Sequence, residues 1–150
     1  MKIVIQRVSR ACVRIEAAER ASIGPGLVLL VAVERGDDDG TVSWAADKIA
    51  GLRAFPAERG PAERMERSVL ETGGELLVVS QFTLAASLHK GRRPSFDAAA
   101  PPEQAEPIYE QLVAALRERG ARVSTGVFRA MMQVELVNDG PVTFVLEPGR

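Results

Sequence analysis

The chain has one cysteine, Cys12, and one histidine, His89, among its 150 residues. A single cysteine excludes an internal disulfide, and together the two residues are too few for the usual Cys/His zinc sites. The longest apolar run, residues 27–33, is too short to span a bilayer. We therefore expect a protein of a reducing compartment, the cytoplasm, with no bound metal and no membrane partner.

A strong charge of either sign is also absent. The 19 Lys and Arg residues nearly balance the 20 Asp and Glu residues, so the formal net charge is -1 and nothing attracts the whole protein to nucleic acid. Any contact with RNA must be local. The length and the 46% hydrophobic content predict one compact domain over residues 1–150, able to bury about 70% of the unfolded surface.

Several catalytic motifs are missing from the sequence. It has no glycine-rich phosphate loop, no His-Glu-x-x-His segment and no Gly-x-Ser-x-Gly elbow. With one histidine and no evident base, the chain is suited to a reaction that needs little acid or base catalysis. Hydrolysis of an activated ester is such a reaction, because backbone N–H groups that stabilise the oxyanion supply much of the rate.

Hydrophobic periodicity predicts six strands and two helices in the order βββ, α, β, α, ββ. The first helix has N-cap residues at 37–41 and runs to Phe55-Pro56, and the second has Pro107 in its first turn. Residues 57–74 are predicted to be a loop or a short edge element. The predicted strands lie near residues 3–8, 12–15, 27–33, 75–79, 132–137 and 142–146. This order is typical of an α+β domain with one layer of helices on a sheet.

Two polar clusters follow apolar strands. They are Ser80-Gln81-Phe82-Thr83 and Asn138-Asp139-Gly140-Pro141-Val142-Thr143. A buried polar group without a partner costs roughly 1–3 kcal/mol, so each group needs a structural partner or a ligand. Structural explanations exist for each cluster alone, since Ser and Thr bond local backbone and Asn-Asp-Gly is a hairpin signal. If the strand continues through the first cluster, Gln81 and Thr83 share one face, and the two clusters together favour a binding site.

A basic loop follows the first cluster. Lys90, Arg92 and Arg93 fall within four residues, which suits a few phosphate contacts with RNA. A charge run of this kind is equally typical of a solvated surface.

Both clusters resemble the signature motifs of the D-aminoacyl-tRNA deacylases. The matching segments are Ser80-Gln81-Phe82-Thr83-Leu84 and Leu136-Val137-Asn138-Asp139-Gly140-Pro141-Val142-Thr143-Phe144, together with Ile5-Gln6-Arg7-Val8, Gly91-x-Arg93-Pro94-Ser95-Phe96 and Gly126-x-Phe128-x-Ala130-x-Met132-x-Val134. The resemblance extends over most of the chain. It implies mixed and antiparallel sheets in a barrel-like, layered ββα sandwich with helices on one side.

The resemblance implies an enzyme that cleaves the ester between a D-amino acid and the 3′ end of tRNA, and that removes glycine from mischarged tRNA(Ala). It implies a homodimer without metal or cofactor. Gly140-Pro141, as a cis peptide, would enter the partner subunit's pocket and block L side chains. Ser80, Gln81, Asn138 and Thr143 would bind substrate, the Phe82 main chain would contact the oxyanion, and Thr83 would position the substrate while the ribose 2′-hydroxyl assists.

The chain departs from the family pattern at two places, Arg64-Met65-Glu66-Arg67-Ser68 and Ala32, and neither lies in a signature motif. Two other functions stay open at this point. One is a non-catalytic RNA-binding module that uses the basic loop. The other is a related deacylase with a trans Gly-Pro peptide that removes L-amino acids.

Overall fold

The computed structural model describes residues 1–59, 61, 64–89 and 91–149. Over these residues the chain forms eight strands, two α-helices and a 3₁₀ helix. In chain order they are β1 (Lys2–Ile15), β2 (Ala18–Ile23), β3 (Gly26–Ala32), α1 (Asp39–Gly51), β4 (Arg53–Pro56), β5 (Met65–Ser68), β6 (Glu75–Ser80), the 3₁₀ helix (Phe82–Ala85), α2 (Pro102–Glu118), β7 (Arg122–Thr125) and β8 (Gln133–Leu146). Six strands form a mixed sheet, and β4 and β5 form a separate pair.

The long strand β1 organises the main sheet. One edge of β1 pairs antiparallel with β2 and β3, and the other edge pairs antiparallel with β8, so that Ile5 lies opposite both Leu29 and Phe144. Beyond β3, the strands β6 and β7 continue the sheet in parallel. The sheet curls into a nearly closed barrel.

Both helices pack on one face of this sheet. Ile49 of α1 and Leu112 of α2 are fully buried in the main core cluster with Leu29 and Val78. Alternate residues of the same strands, such as Val28 and Leu77, point to the opposite face and form a second cluster. The predicted α+β class, a barrel-like sheet with helices on one side, is confirmed. In the part of the chain that the structure describes, no helix combines the length and apolar character needed to cross a bilayer.

Several predicted boundaries were wrong. The strands predicted near 3–8 and 12–15 are one strand, β1, and two short strands, β2 and β7, were missed because each carries only one large apolar residue, Ile23 and Val123. The first helix starts as predicted, with Asp38 as N-cap, but it ends at Gly51 because Leu52 has extended backbone angles. Residues 53–56 are therefore strand β4, and its partner β5 is the short element expected within 57–74.

The position of Pro107 was also wrong. The second helix begins at Pro102, so Pro107 lies in its second turn rather than its first. The lost bond would have joined the Pro107 nitrogen to the Glu103 carbonyl. Both residues are exposed, so water can satisfy that carbonyl.

The last predicted strand pair is not a hairpin. Both halves of β8 pair with β1, with Asn138 opposite Val8 and Thr143 opposite Gln6. Residues 139–142 have no partner in β1, because only Arg7 lies between the paired residues Gln6 and Val8, and they therefore bulge out of the strand. We call this segment the 139–142 loop, and it interrupts a single strand instead of joining two.

Candidate active site

The first polar cluster forms a sharp turn at the end of β6, which we call the 80–83 turn. The strand ends at Ser80, the Gln81 N–H donates to the Val31 carbonyl at 2.7 Å, and the 3₁₀ helix begins at Phe82. The strand alternation expected through residue 83 therefore does not hold. Instead, all four residues line the same cavity.

Hydrogen bonds within the 80–83 turn leave two backbone donors free. The Gln81 side-chain amide donates from Nε2 to Thr83 Oγ1 at 2.5 Å, which fixes both side chains. The N–H groups of Phe82 and Thr83, at the start of the 3₁₀ helix, donate to no atom of the described residues. Two unpaired backbone donors on a cavity wall can stabilise negative charge on an oxygen atom.

The cavity has a volume of about 800 Å³. Its wall is mostly apolar, and the charged residues among its described lining are two arginines, Arg35 and Arg129, with no Asp, Glu or His. The remaining lining residues are Val33, Val79, Ser80, Gln81, Phe82, Thr83, Phe96, Ala99, Ala100, Pro101, Pro102, Ala105, Phe128, Ala130, Met131, Met132 and Val134. This size falls in the range of roughly 300–1,000 Å³ that is typical of small-molecule sites.

Large apolar side chains are exposed around the cavity. Phe82 is 57% exposed and its ring packs against Phe96, with centroids 5.1 Å apart. Met131 is 92% exposed and Val127 is 47% exposed. An apolar rim of this kind is typical of a surface that another molecule covers.

Tyr109 of α2 supports Phe128 of the cavity wall. Its hydroxyl donates to the Val78 carbonyl at 2.9 Å, and its ring packs on Phe128 of the cavity wall with centroids 5.7 Å apart. The same Val78 carbonyl accepts from the Gly126 N–H at 3.0 Å. Burial raises the pKa of Tyr109 to about 12.

The second polar cluster supports the 139–142 loop. The Asn138 amide donates from Nδ2 to Thr143 Oγ1 at 3.0 Å, and its Oδ1 accepts from the Val142 N–H at 3.1 Å. Gln6 Nε2 also donates to Thr143 Oγ1, at 3.2 Å. Asn138 and Thr143 therefore close the base of the loop.

Gly140 occupies a position that other residues would strain. Its φ is +134°, and a Cβ atom there would lie 2.7 Å from Val142 Cγ2 and 3.1 Å from Arg7 Nη2. The Gly140-Pro141 peptide bond is cis, the isomer that the resemblance implies. Both residues are exposed, and neither lines the cavity of its own chain.

Comparison with known proteins identifies the family of the chain. The family model described as D-Tyr-tRNA(Tyr) deacylase matches residues 4–147. The chain belongs to the D-Tyr-tRNA(Tyr) deacylase family. It is therefore an enzyme, a deacylase.

Relatives of this deacylase match along their full length. The D-aminoacyl-tRNA deacylase of Anaeromyxobacter dehalogenans is 52% identical over 150 residues, which cover 100% of this chain and 99% of the relative. The D-aminoacyl-tRNA deacylase of Pelobacter propionicus is 51% identical over 147 residues, covering 98% and 99%.

Solved structures support the same fold. A c-Myc DNA unwinding element binding protein has a TM-score of 0.93 at 38% identity, with 100% of both chains covered. A probable eukaryotic D-amino acid tRNA deacylase has a TM-score of 0.82 at 16% identity, covering 97% of each chain, and shows the fold alone.

Within one chain of the deacylase, the predicted site residues form two groups. Ser80, Gln81, Phe82 and Thr83 come together in the cavity, whereas Asn138, Gly140, Pro141 and Thr143 lie at the 139–142 loop. Arg92 and Arg93 are exposed, and Lys90 lies outside the described residues. Across the described ranges, no three His, Cys, Asp or Glu side chains are grouped so that they could hold a metal ion.

Sequence reasoning missed three residues of these sites. Arg129 and Arg35 line the cavity, and Arg7 holds the 139–142 loop through Asp139. Arg7 lies in a segment that matches the family, but the sequence does not show which residues an arginine there contacts. For Arg35 the sequence offers no motif.

Proposed function

We propose that this deacylase hydrolyses the ester between a D-amino acid and the 3′-terminal ribose of tRNA. The observation that carries the proposal is the cavity of about 800 Å³ lined by Phe82 and Thr83, whose N–H groups donate to no atom of the described residues. The oxygen atom of water bonds to the ester carbonyl carbon, and the developing oxyanion accepts from the Phe82 main chain. The bond to the ribose oxygen then breaks, that oxygen takes up a proton, and free D-amino acid and tRNA leave.

The side chains of the 80–83 turn position the ester and do not attack it. Since no Asp, Glu or His of the described residues lines the cavity, Thr83 has no base there that could activate its hydroxyl. Its Oγ1 already accepts from Gln81, which leaves the hydroxyl proton to orient the substrate. The neighbouring ribose 2′-hydroxyl relays the proton to the leaving oxygen.

Selection against L-amino acids requires a steric barrier. Fitting one alkyl group discriminates by only about 1–3 kcal/mol, whereas a fixed backbone beside the α-carbon rejects the wrong enantiomer by direct clash. In our proposal this barrier is the Gly140-Pro141 backbone of a second copy, in a homodimer. The exposure of both residues and of the apolar rim of the cavity, which includes Phe82 and Met131, supports it.

Two further features follow from the proposal. Glycine has no side chain to clash, so the enzyme also removes glycine mischarged on tRNA(Ala). In our proposal the exposed Arg92 and Arg93 contact the tRNA backbone, and their position in the chain, between the hydrogen-bonded Ser87 and Ser95 and just before Phe96 of the cavity wall, supports this. The cytoplasm stays the predicted compartment.

Hydrolysis of paired tyrosyl-tRNAs tests the proposal. We expect the purified protein to release D-tyrosine from D-tyrosyl-tRNA and to leave L-tyrosyl-tRNA intact. Equal rates on both would refute the selection mechanism. A non-catalytic RNA-binding module would bind both tRNAs and cleave neither, and it would lose binding on charge reversal of Arg92 and Arg93. A deacylase for L-amino acids would instead cleave L-tyrosyl-tRNA and leave D-tyrosyl-tRNA intact.

A further inference from the structure

Arg129 has an unusual backbone conformation. Its φ is +63°, in the left-handed region that L-residues rarely adopt. Glycine adopts this region without steric cost. The side chain is exposed and, among the described residues, makes no hydrogen bond or ion pair. A strained arginine whose side chain makes no polar contact with the described residues indicates a role outside folding.

The cavity wall carries a second cation besides Arg129. Arg35 is the second cation of the wall, and it is oriented by an Nε bond to the Asp97 carbonyl at 3.0 Å. Over the ranges that the structure describes, no carboxylate side chain lines the cavity to neutralise either one. Because the rest of the wall is mostly apolar, the two guanidinium groups favour an anionic ligand.

We propose that Arg129, with Arg35, binds the phosphodiester on the 5′ side of the terminal nucleotide. This assignment rests on the proposed function. A cavity of about 800 Å³ accommodates an aminoacylated nucleoside, and the first charged group beyond the nucleoside is that phosphate. The planar guanidinium matches the phosphate oxygens with two parallel hydrogen bonds.

Two substrates separate this contact from recognition of the amino acid. D-tyrosyl-tRNA and 3′-O-D-tyrosyl-adenosine carry the same ester, but only the first carries the phosphate. We expect Arg129→Gly to raise KM for the tRNA substrate about tenfold while kcat on both substrates and KM for the adenosine ester stay unchanged. Removal of one phosphate contact should also lower the slope of log KM against log salt by about 0.7, the value for a single strand.

Matched variants exclude a structural explanation. Arg129→Gly removes the backbone strain, so its melting temperature should equal or exceed that of the wild type, and a loss of affinity in a more stable protein cannot come from misfolding. Arg129→Lys should keep most of the salt slope. Arg20→Ala, which removes an exposed cation of β2 outside the cavity, should change neither KM nor the slope.

Three results would overturn the assignment. An equal rise in KM on both substrates would place Arg129 against the nucleoside or amino acid, and an effect confined to D-aspartyl-tRNA would make its ligand a side-chain carboxylate. Dissociation of Arg129→Gly into monomers would place it against the partner chain. Lack of wild-type activity on both substrates would instead refute the proposed function itself.

Discussion

The Arg7 Nε atom donates to the Asp139 carbonyl at 3.0 Å. The same guanidinium donates from Nη1 to the Ala54 carbonyl at 2.7 Å and lies 3.7 Å from the Asp139 carboxylate. The Arg7 side chain is only 11% exposed. It thus joins the 139–142 loop to the β4 segment and fixes the direction in which Gly140 and Pro141 project.

Replacement of Arg7 by glutamine should loosen this loop. Arg7→Gln leaves two carbonyl groups without their charged donor, and we expect a loss of about 1–3 kcal/mol in the free energy of unfolding, measured by urea denaturation. A mobile loop is a poor steric barrier, so hydrolysis of L-tyrosyl-tRNA relative to D-tyrosyl-tRNA should rise at least tenfold, by roughly 1.4 kcal/mol. An unchanged ratio would remove Arg7 from the selection mechanism.

Gly140 should tolerate no side chain. Gly140→Ala places a Cβ atom 2.7 Å from Val142 Cγ2 at a φ of +134°, so the loop must shift and selectivity for the D-substrate should fall. Gly36→Ala is the matched control, since Gly36 has a φ of +90° but nothing within 4 Å. The control should lose about 1–2 kcal/mol of stability and keep full selectivity. Similar selectivity in the two variants would contradict the steric role of the loop.

Replacement of Thr83 tests whether its hydroxyl attacks the ester. As a positioning residue, Thr83→Ala should lower kcat by about 10- to 100-fold, and Thr83→Ser should restore most of it. Loss of an attacking hydroxyl would lower kcat by about 10⁴-fold or more. Single-turnover hydrolysis of D-tyrosyl-tRNA separates the two outcomes, and a covalent aminoacyl-enzyme trapped in wild type would also contradict our account.

Tyr109 makes stability depend on alkaline pH. Its pKa is about 12 in the fold, against an ordinary value of 10.0, so the fold favours the protonated hydroxyl. The stability from this preference is fully present below pH 10 and is lost as the pH rises through 12, by roughly 2–3 kcal/mol. In Tyr109→Phe the free energy of unfolding should depend less on pH over this range, and at neutral pH it should be lower by about 1 kcal/mol. If the free energy of unfolding in urea falls equally steeply between pH 10 and 12 in the wild type and in Tyr109→Phe, this prediction is wrong.

Much of the fold follows from residue order. Strand β6 was predictable because four apolar residues precede Ser80, and the start of α1 because Asp38 can cap it. The 80–83 turn was not, since the sequence also allowed the strand to continue through Thr83. Strand β7 was not, since Val123 is its only apolar residue. The Asn-Asp-Gly sequence predicted a hairpin, but both halves of β8 instead pair with β1, a long-range choice that no local signal encodes.

The site was predictable in its parts and not in its arrangement. Residue types identified the 80–83 turn and Gly140-Pro141, yet each chain keeps them apart, which sequence spacing could not show. Arg129 could not be selected from the sequence, because its place in the cavity wall and its positive φ both depend on the fold. The same holds for Arg7, whose contacts with Ala54 and Asp139 join segments distant in sequence.

In the proposed homodimer the 139–142 loop of one subunit completes the cavity of the other, and exchange of subunits is the direct test of this arrangement. Pro141→Ala should cleave L-tyrosyl-tRNA. The factor by which its selectivity for the D-substrate falls should exceed the factor by which its rate on D-tyrosyl-tRNA falls. A second variant, Ala130→Trp, blocks its own cavity but keeps a wild-type loop, since Ala130 lines the cavity wall.

Excess Ala130→Trp is mixed with Pro141→Ala, and native mass spectrometry confirms the mixed dimers. We predict that hydrolysis of L-tyrosyl-tRNA then falls toward the wild-type level while hydrolysis of D-tyrosyl-tRNA persists, because the open cavity now receives an intact loop from its partner. Undiminished L-tyrosyl-tRNA hydrolysis in verified mixed dimers would contradict the account.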